Sequence, residues 1–541
     1  MEWFFHMKGR FLQMKMRNFV LIHSLLFFIY MLIGTDHWPF LLLTVAQLVY
    51  VPIALRLVMV PGDWLSRYYW YFAVPAYVSV VVIQWVPSQW DSFLADVYLV
   101  FTVIIACYGL SRFIDRGFTN IEEFAIDSGL VYLALGGGWY FAYVAGIDTG
   151  FTPLITWLTG IHFHYSAFLL PIFVGFLGRL YKNKFYRFIC LVIIVSPMVV
   201  AIGITFSRWI ELFSVILYIF GIYGLLYLTW KTPFVSRIQK WFVRVSFAAL
   251  GLTIVFSLFY ALGNGFGIVS VSIDFMLRFH GLLNCVLFAM IGLIGWSLSV
   301  PKTTFSPRTF PVSKIRGKFL SEEQSEISGL VDRMKVFEPQ LDCHTLSPKV
   351  IDFYENTVDY RLFASVKWHA WFMPFAVVYK AISRKLKQIN LPLHRREIEM
   401  TGVILSVDEE LDGRASVRAW VRNVNGETAF VALYSIHENE ERTYMNIALP
   451  LPFSTMIGVL DLMQDGRDLR LTSQNLNAPT PDAGIYLAVK KKILKLPIEE
   501  DFIVRENKDG SLIATHKMWI FSIPFLTINY SIHHNSIERP F

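Results

Sequence analysis

Ten apolar stretches, each of roughly 20 residues, crowd the first 300 positions, and no other feature restricts the fold so strongly. In hydrocarbon a peptide group has no water to bond, so each stretch must satisfy its own backbone as a helix. The runs cover 18–34, 40–61, 68–87, 92–110, 124–146, 151–177, 188–206, 210–228, 241–263 and 272–299. Charge tests this division. Basic residues gather in the leader (Lys8, Arg10, Lys15, Arg17), at Arg56 with Arg67, at Arg112 with Arg116, and in 179–187, 231–244 and 302–318. These positions fall on alternate ends of the runs, and the opposite ends carry only Arg208 and Arg278. Ten spans therefore satisfy the positive-inside rule, with both termini cytoplasmic in a plasma membrane; an odd number would put a basic loop outside. The basic leader is followed by no small-residue cleavage signature, so the first run is expected to stay as a signal anchor.

The two halves of the chain differ in kind. Residues 1–300 hold 18 Lys/Arg and 12 Asp/Glu, whereas 301–541 hold 30 and 29. The second density is ordinary for a water-exposed domain; the first is that of a membrane segment. The net charge of +7 lies almost wholly in the first half, at helix ends, so it reads as topology and excludes a nucleic-acid footprint. Three of the four cysteines (Cys107, Cys190, Cys285) fall inside apolar runs and none forms a CxxC pair, which supports neither a disulfide framework nor a thiolate metal site.

An ionisable side chain in hydrocarbon costs several kcal/mol, so each one is a candidate for function. His162 and His164 stand midway along the sixth run in IHFHYSA, and His280 with Asn284 in the tenth in RFHGLLN. Glu211 sits at the outer end of the eighth, with Asp96 and Asp274 at comparable depth. His162, His164, Glu211, His280 and Asn284 are the expected lining of a substrate or proton pathway. On a helix, His162 and His164 point about 200° apart, so a metal would need one of them to meet Glu211 and His280 from other helices. The bland alternative is polar glue between helices. Glu122, Glu123 and Asp127 open the fifth run, where carboxylates favour a helix N-terminus, and they read as structural. The Gly136–Gly138 run lacks the strand and lysine of a phosphate loop and reads as helix packing.

After Pro301 a proline-punctuated linker and an acidic helix (321–337) fill 301–345. A soluble α+β domain follows over 346–541, starting with helices at 348–365 and 370–389. Trp371, Lys380, Arg384 and Lys385 make the second helix basic, aromatic and amphipathic, suited to the inner membrane face. From about 399 the period becomes two, with eight or nine short strands separated by turns such as Asp412-Gly413, Asn425-Gly426 and Asp509-Gly510. This suggests an antiparallel, barrel-like sheet able to hold a lipid or small apolar ligand. Seven scattered histidines and the absence of GxSxG, HExxH or a Walker lysine leave no catalytic constellation and no expected cofactor.

The phrases HFHYSAFLLP (162–171), RFHGLLN (278–284), RAWVR (418–422), FVALYS (430–435), YMNIALPLP (444–452) and HKMWIF (516–521) resemble the YndJ-like family of uncharacterised bacterial membrane proteins. The resemblance covers both halves of the chain. It implies architecture and a membrane location, and it carries no mechanism to any residue. The residues themselves favour a transporter or permease-like protein with a cytoplasmic ligand-sensing or regulatory domain. The alternatives are a structural or envelope-stress membrane protein, and an intramembrane enzyme that modifies a lipid or isoprenoid with the His/Glu set.

Overall fold

The computed structural model describes residues 14–33, 38–85, 88–268, 271–303, 305, 310–317, 325–386, 391–424, 427–439, 442–474, 482–490 and 492–536. Lys8, Arg10, residues 321–324 of the expected acidic helix and the Asn425-Gly426 turn lie outside them. The chain forms two compact units, one of residues 1–113 and 120–305, the other of 114–119 and 306–541.

The described residues of the first unit hold ten long helical stretches. They are α1 (Met16–Ile33), α2 (Trp38–Val58), α3 (Trp64–Trp85), α4 (Asp91–Arg116), α5 (Ile121–Val144), α6 (Pro153–Leu180), α7 (Lys184–Phe206), α8 (Arg208–Lys231), α9 (Arg237–Phe266) and α10 (Ile273–Leu298). Each of the ten apolar runs lies on one of them. Seven are both long and apolar enough to cross a membrane: α2, α4 and α6 through α10. Of the rest, α1 has a shorter apolar core, α3 is diluted by Trp and Tyr, and α5 opens with three carboxylates. Polar caps start several helices: Thr152 accepts from Ile155 N–H before Pro153, Asn183 from Tyr186 N–H, and Ser272 from Phe275 N–H.

Four stretches inside these helices are wound as π-helix: 46–50, 163–169, 276–281 and 284–290. Two of them run into a proline, Pro52 and Pro171, whose missing N–H leaves the carbonyl four residues back without its helical donor. For Pro52 that carbonyl is Leu48 O, and the buried His23 of α1 donates to it from Nδ1 at 2.8 Å. Tyrosines reach two further helix carbonyls, Tyr165 bonding Leu42 O just before the first of these stretches at 2.7 Å and Tyr50 bonding Cys285 O within the last at 3.0 Å.

The second unit is built on twelve strands: β1 (Tyr360–Trp368), β2 (Ile398–Val407), β3 (Val417–Val424), β4 (Glu427–Asn439), β5 (Arg442–Leu451), β6 (Ser454–Asp465), β7 (Asp468–Thr472), β8 (Gly484–Val489), β9 (Lys492–Lys495), β10 (Ile498–Glu506), β11 (Leu512–Ile520) and β12 (Ile523–His534). All pairings are antiparallel. The order β5-β4-β3-β2-β1-β12-β11-β10-β7-β6 closes on itself because β6 also pairs with β5, giving a ten-stranded barrel. β8 pairs with the first half of β6, from Ser454 to Val459, and β9 pairs with β8.

Three readings of this half need correction. Residues 325–337 are not helical: Glu326 bridges Leu405, Ile327 N–H bonds Ile404 O, and only Met334–Phe337 makes a 3-10 turn. Gly329 packs its Cα onto the Glu355 carbonyl, an approach that any side chain would block. The helix expected over 348–365 stops at Glu355, and β1 follows, its alternating burial being that of a strand. β6 and β9 were hidden, β6 because most of it is buried on both faces and so lacks alternation.

The segment 325–359 closes one end of the barrel, with Met334, Phe337, Val350, Phe353 and Tyr354 buried against its interior. Here Ser347 N–H bonds Arg467 O and Gln340 reaches Thr443 O. The helix α12 (Met373–Leu386), preceded by α11 (Pro348–Glu355) in the chain, flanks the other end, where Trp368 stacks on Phe372. Outside the wall, Asp412 and Arg414 are almost fully buried and paired through Nε–Oδ1 at 2.6 Å, with Ser313 donating to the same carboxylate. Removing one partner of such a pair strands the other charge. Asp412→Ala is therefore expected to cost about 3–5 kcal/mol, read as a lowered Tm of the purified protein, whereas the exposed pair partner Arg278→Ala should leave Tm nearly unchanged.

Candidate functional site

Helix geometry sends His162 and His164 in different directions. His164 is buried, its Nδ1 donating to Gly160 O at 2.7 Å and its Nε2 lying 2.8 Å from the hydroxyl of Tyr98 on α4. A carbonyl can only accept, so the ring proton sits on Nδ1 and Tyr98 donates to Nε2. His162 keeps an exposed face, donates from Nδ1 to Leu158 O at 2.8 Å, and stacks on His280 of α10 with ring centroids 6.4 Å apart.

His280 in turn is fixed by α9. Its Nδ1 lies 3.0 Å from Thr253 O and 3.4 Å from Ser257 Oγ. Asn284, one turn on, places Nδ2 3.3 Å from His280 Nε2 and accepts from Thr253 Oγ1 at 2.8 Å. Thus α6, α9 and α10 converge on a cluster of His162, His280, Asn284, Thr253 and Ser257, with His280 and Asn284 both on π-helical turns. Such turns recur at functional sites because they displace a side chain from the regular helical face.

Glu211 stands elsewhere. Its backbone packs against Gly203 at the α7–α8 junction and its charged neighbour is Arg208. Among the described residues, no three His, Cys, Asp or Glu side chains gather as a metal-ligand set. Of the site residues expected from the sequence, His162, His280 and Asn284 come together, while His164 and Glu211 do not join them. Thr253, Ser257 and Tyr98 had no signal of their own, since hydroxyls in apolar helices are common; only their partners single them out.

A second polar group spans α4, α5 and α6. Arg112 binds Asp127 at 2.8 Å and Glu123 at 3.1 Å, Arg179 binds Glu123 at 2.7 Å, and Lys182 binds Glu122 at 2.7 Å. The three carboxylates are buried and each faces a cation, so the expected structural role of this acidic turn suits its geometry. Arg179 also donates to Pro301 O, tying the end of the bundle. The glycine run fits here as packing: a Cβ on Gly136 would lie 2.8 Å from His164 Nδ1, and on Gly137 2.1 Å from Thr102 Oγ1.

In the second unit, α12 turns Ala376 and Ser383 inward and leaves Trp371, Phe375 and Val378 exposed. Trp371 donates to Pro524 O at 2.8 Å and Lys380 to Leu391 O at 3.3 Å. The side chains of Arg384 and Lys385 lie outside the described residues. Two of the scattered histidines are paired: His437 with Asp482 and Asn446, and His516 with Glu500.

Residues 41–288 match the family described as YndJ-like protein. The chain is 39% identical over 467 residues to a Bacillus subtilis (strain 168) protein named "Uncharacterized membrane protein YndJ", covering 82% of this chain and 85% of that one. No solved structure matches.

The three glycines separate packing from flexibility. Gly136→Ala and Gly137→Ala are expected to lower the Tm of the detergent-purified protein, because each methyl group meets a neighbouring helix. Gly138 faces open space, so Gly138→Ala should be neutral or stabilising by up to about 1 kcal/mol through helix propensity.

Proposed function

The chain belongs to the YndJ-like family, and from that premise we propose that it is a permease-like, multi-pass protein of the plasma membrane with both termini cytoplasmic. Its membrane half carries a small polar solute or proton past His162, His280 and Asn284, and its barrel is the regulatory, ligand-sensing module. The observation that supports this reading is the meeting of two histidines from different helices inside an otherwise apolar bundle, one of them with an exposed ring face. With Nδ1 of each ring directed at a carbonyl, His162 Nε2 is left as an acceptor. Asn284, Thr253 and Ser257 add uncharged donors and acceptors. Such a lane suits hydrogen-bonding cargo or proton transfer better than a large anion.

The test uses a strain lacking the gene. A His162→Phe/His280→Phe double variant, present in the membrane at normal abundance, is expected to restore none of the phenotypes that the unaltered protein restores. Full restoration would overturn the pathway. Orientation is read separately: a fluorescent protein fused to the C-terminus should glow, and a periplasm-dependent phosphatase at the same place should be inactive.

A further inference from the structure

The barrel carries a polar group that its own walls do not account for. Ten strands enclose more space than eight, for which side chains already suffice to fill the interior. Toward the closed end the inward-facing residues are sealed: Ile404, Leu462 and Val504 are each at most 1% exposed. Toward the α12 end the inward positions of β1 and β12 are sealed as well (Val366, Trp368, Leu526), but those of β4, β5, β6 and β11 are only half-buried, among them Phe430, Ile447, Leu449, Met456 and Met518. The barrel thus has a plugged floor and, on its β4–β6 and β11 side, an apolar, half-exposed upper wall.

Arg422 projects into the barrel. Its register partners are Gly402 on β2 and Phe430 on β4, and it shares the inner face of β3 with Trp420. It is only 8% exposed, and its guanidinium lies between the rings of Phe430 (4.1 Å) and Trp420 (4.4 Å). The Tyr530 phenol feels its charge, and the Arg422 Nε is buried with no hydrogen-bond partner among the described residues. Among the described residues no carboxylate pairs with it. Glu500, an acid on β10, is held by His516 at 2.9 Å and packed over Gly458. Burial pushes the Tyr434 phenol up to about 12, with Arg422 acting the other way, and raises Tyr530 as well, so both hydroxyls stay protonated and able to donate.

A buried guanidinium costs several kcal/mol unless an anion faces it, and ring stacking returns only part of that cost. Its planar fork matches a carboxylate or phosphate. We propose that the barrel binds a single-chain amphiphile, its anionic head on Arg422 and its chain leading out along Ile447, Leu449, Met456 and Met518. The rim fits this route, since Phe453, Phe521 and Ile523 are exposed apolar residues at the same end. This assignment names the ligand class of the proposed sensing module, and occupancy is measured without reference to transport, so the two readings can fail separately.

The experiment is native mass spectrometry of the full chain in a non-ionic detergent with added oleate. One stoichiometric adduct is expected, and Arg422→Met should weaken it by about tenfold or more, the worth of a charge-assisted pair. Oleyl alcohol, which keeps the chain and lacks the charge, should bind comparably more weakly than oleate; acetate and inorganic phosphate, which carry the head alone, should not compete. Met456→Trp fills the upper wall with the charge intact and should also block oleate, which keeps the test usable if the arginine variant does not fold. Equal oleate binding by folded Arg422→Met and the unaltered protein would overturn the proposal, as would competition by phosphate as strong as by oleate.

Discussion

A peptide group buried away from water must find its hydrogen-bond partner within the chain, and both halves of this protein are arranged around that requirement. In the first unit the answer is helix, with exceptions only where the sequence breaks the pattern. Pro52 strips Leu48 O of its donor, and His23 supplies one from a neighbouring helix. Tyr165 and Tyr50 donate to Leu42 O and Cys285 O across helix contacts. In the second unit the answer is closure: the β5–β6 pairing turns a row of strands into a ring and removes two open edges.

The buried polar side chains fall into groups that differ in how completely they are satisfied. The Arg112–Asp127–Glu123–Arg179 set matches cations to carboxylates at 2.7 to 3.1 Å, which locks α4, α5 and α6 together. His164 is bonded at both nitrogens and wedged against Gly136, so it belongs with packing. His162 has one nitrogen bonded and a face exposed, and Arg422 has a buried nitrogen with nothing opposite. Desolvation makes incomplete satisfaction expensive, so positions of this last kind are where ligands and cargo are to be sought.

Much of the membrane half was legible because its signals are local. Apolar run length needs no tertiary information, and each of the ten runs lies on a helix of matching position. The divergence of His162 and His164 followed from residue spacing alone, and the Gly136–Gly138 run was readable as packing. The barrel was harder. YRLFASVKW mixes apolar and polar residues without strong turn signals beside it, so β1 reads as a continuation of the preceding helix, and doubly buried β6 shows no alternation. The arginine at 422 stood in plain view within RAWVR, yet an arginine on a strand is ordinarily a solvated one.

Run length, charge placement and the switch from long apolar stretches to period two therefore determined a helical membrane half followed by an antiparallel β domain. Those patterns depend on each segment's own transfer energy and backbone geometry, which neighbours in sequence suffice to set. Only the tertiary structure decided that His280 meets His162 while Glu211 does not, that ten of twelve strands close into a ring, and that Arg422 points inward with no carboxylate paired to it among the described residues. Each of these depends on which side chains from distant segments share one desolvated space, and pairing across space leaves no periodic trace along a single chain.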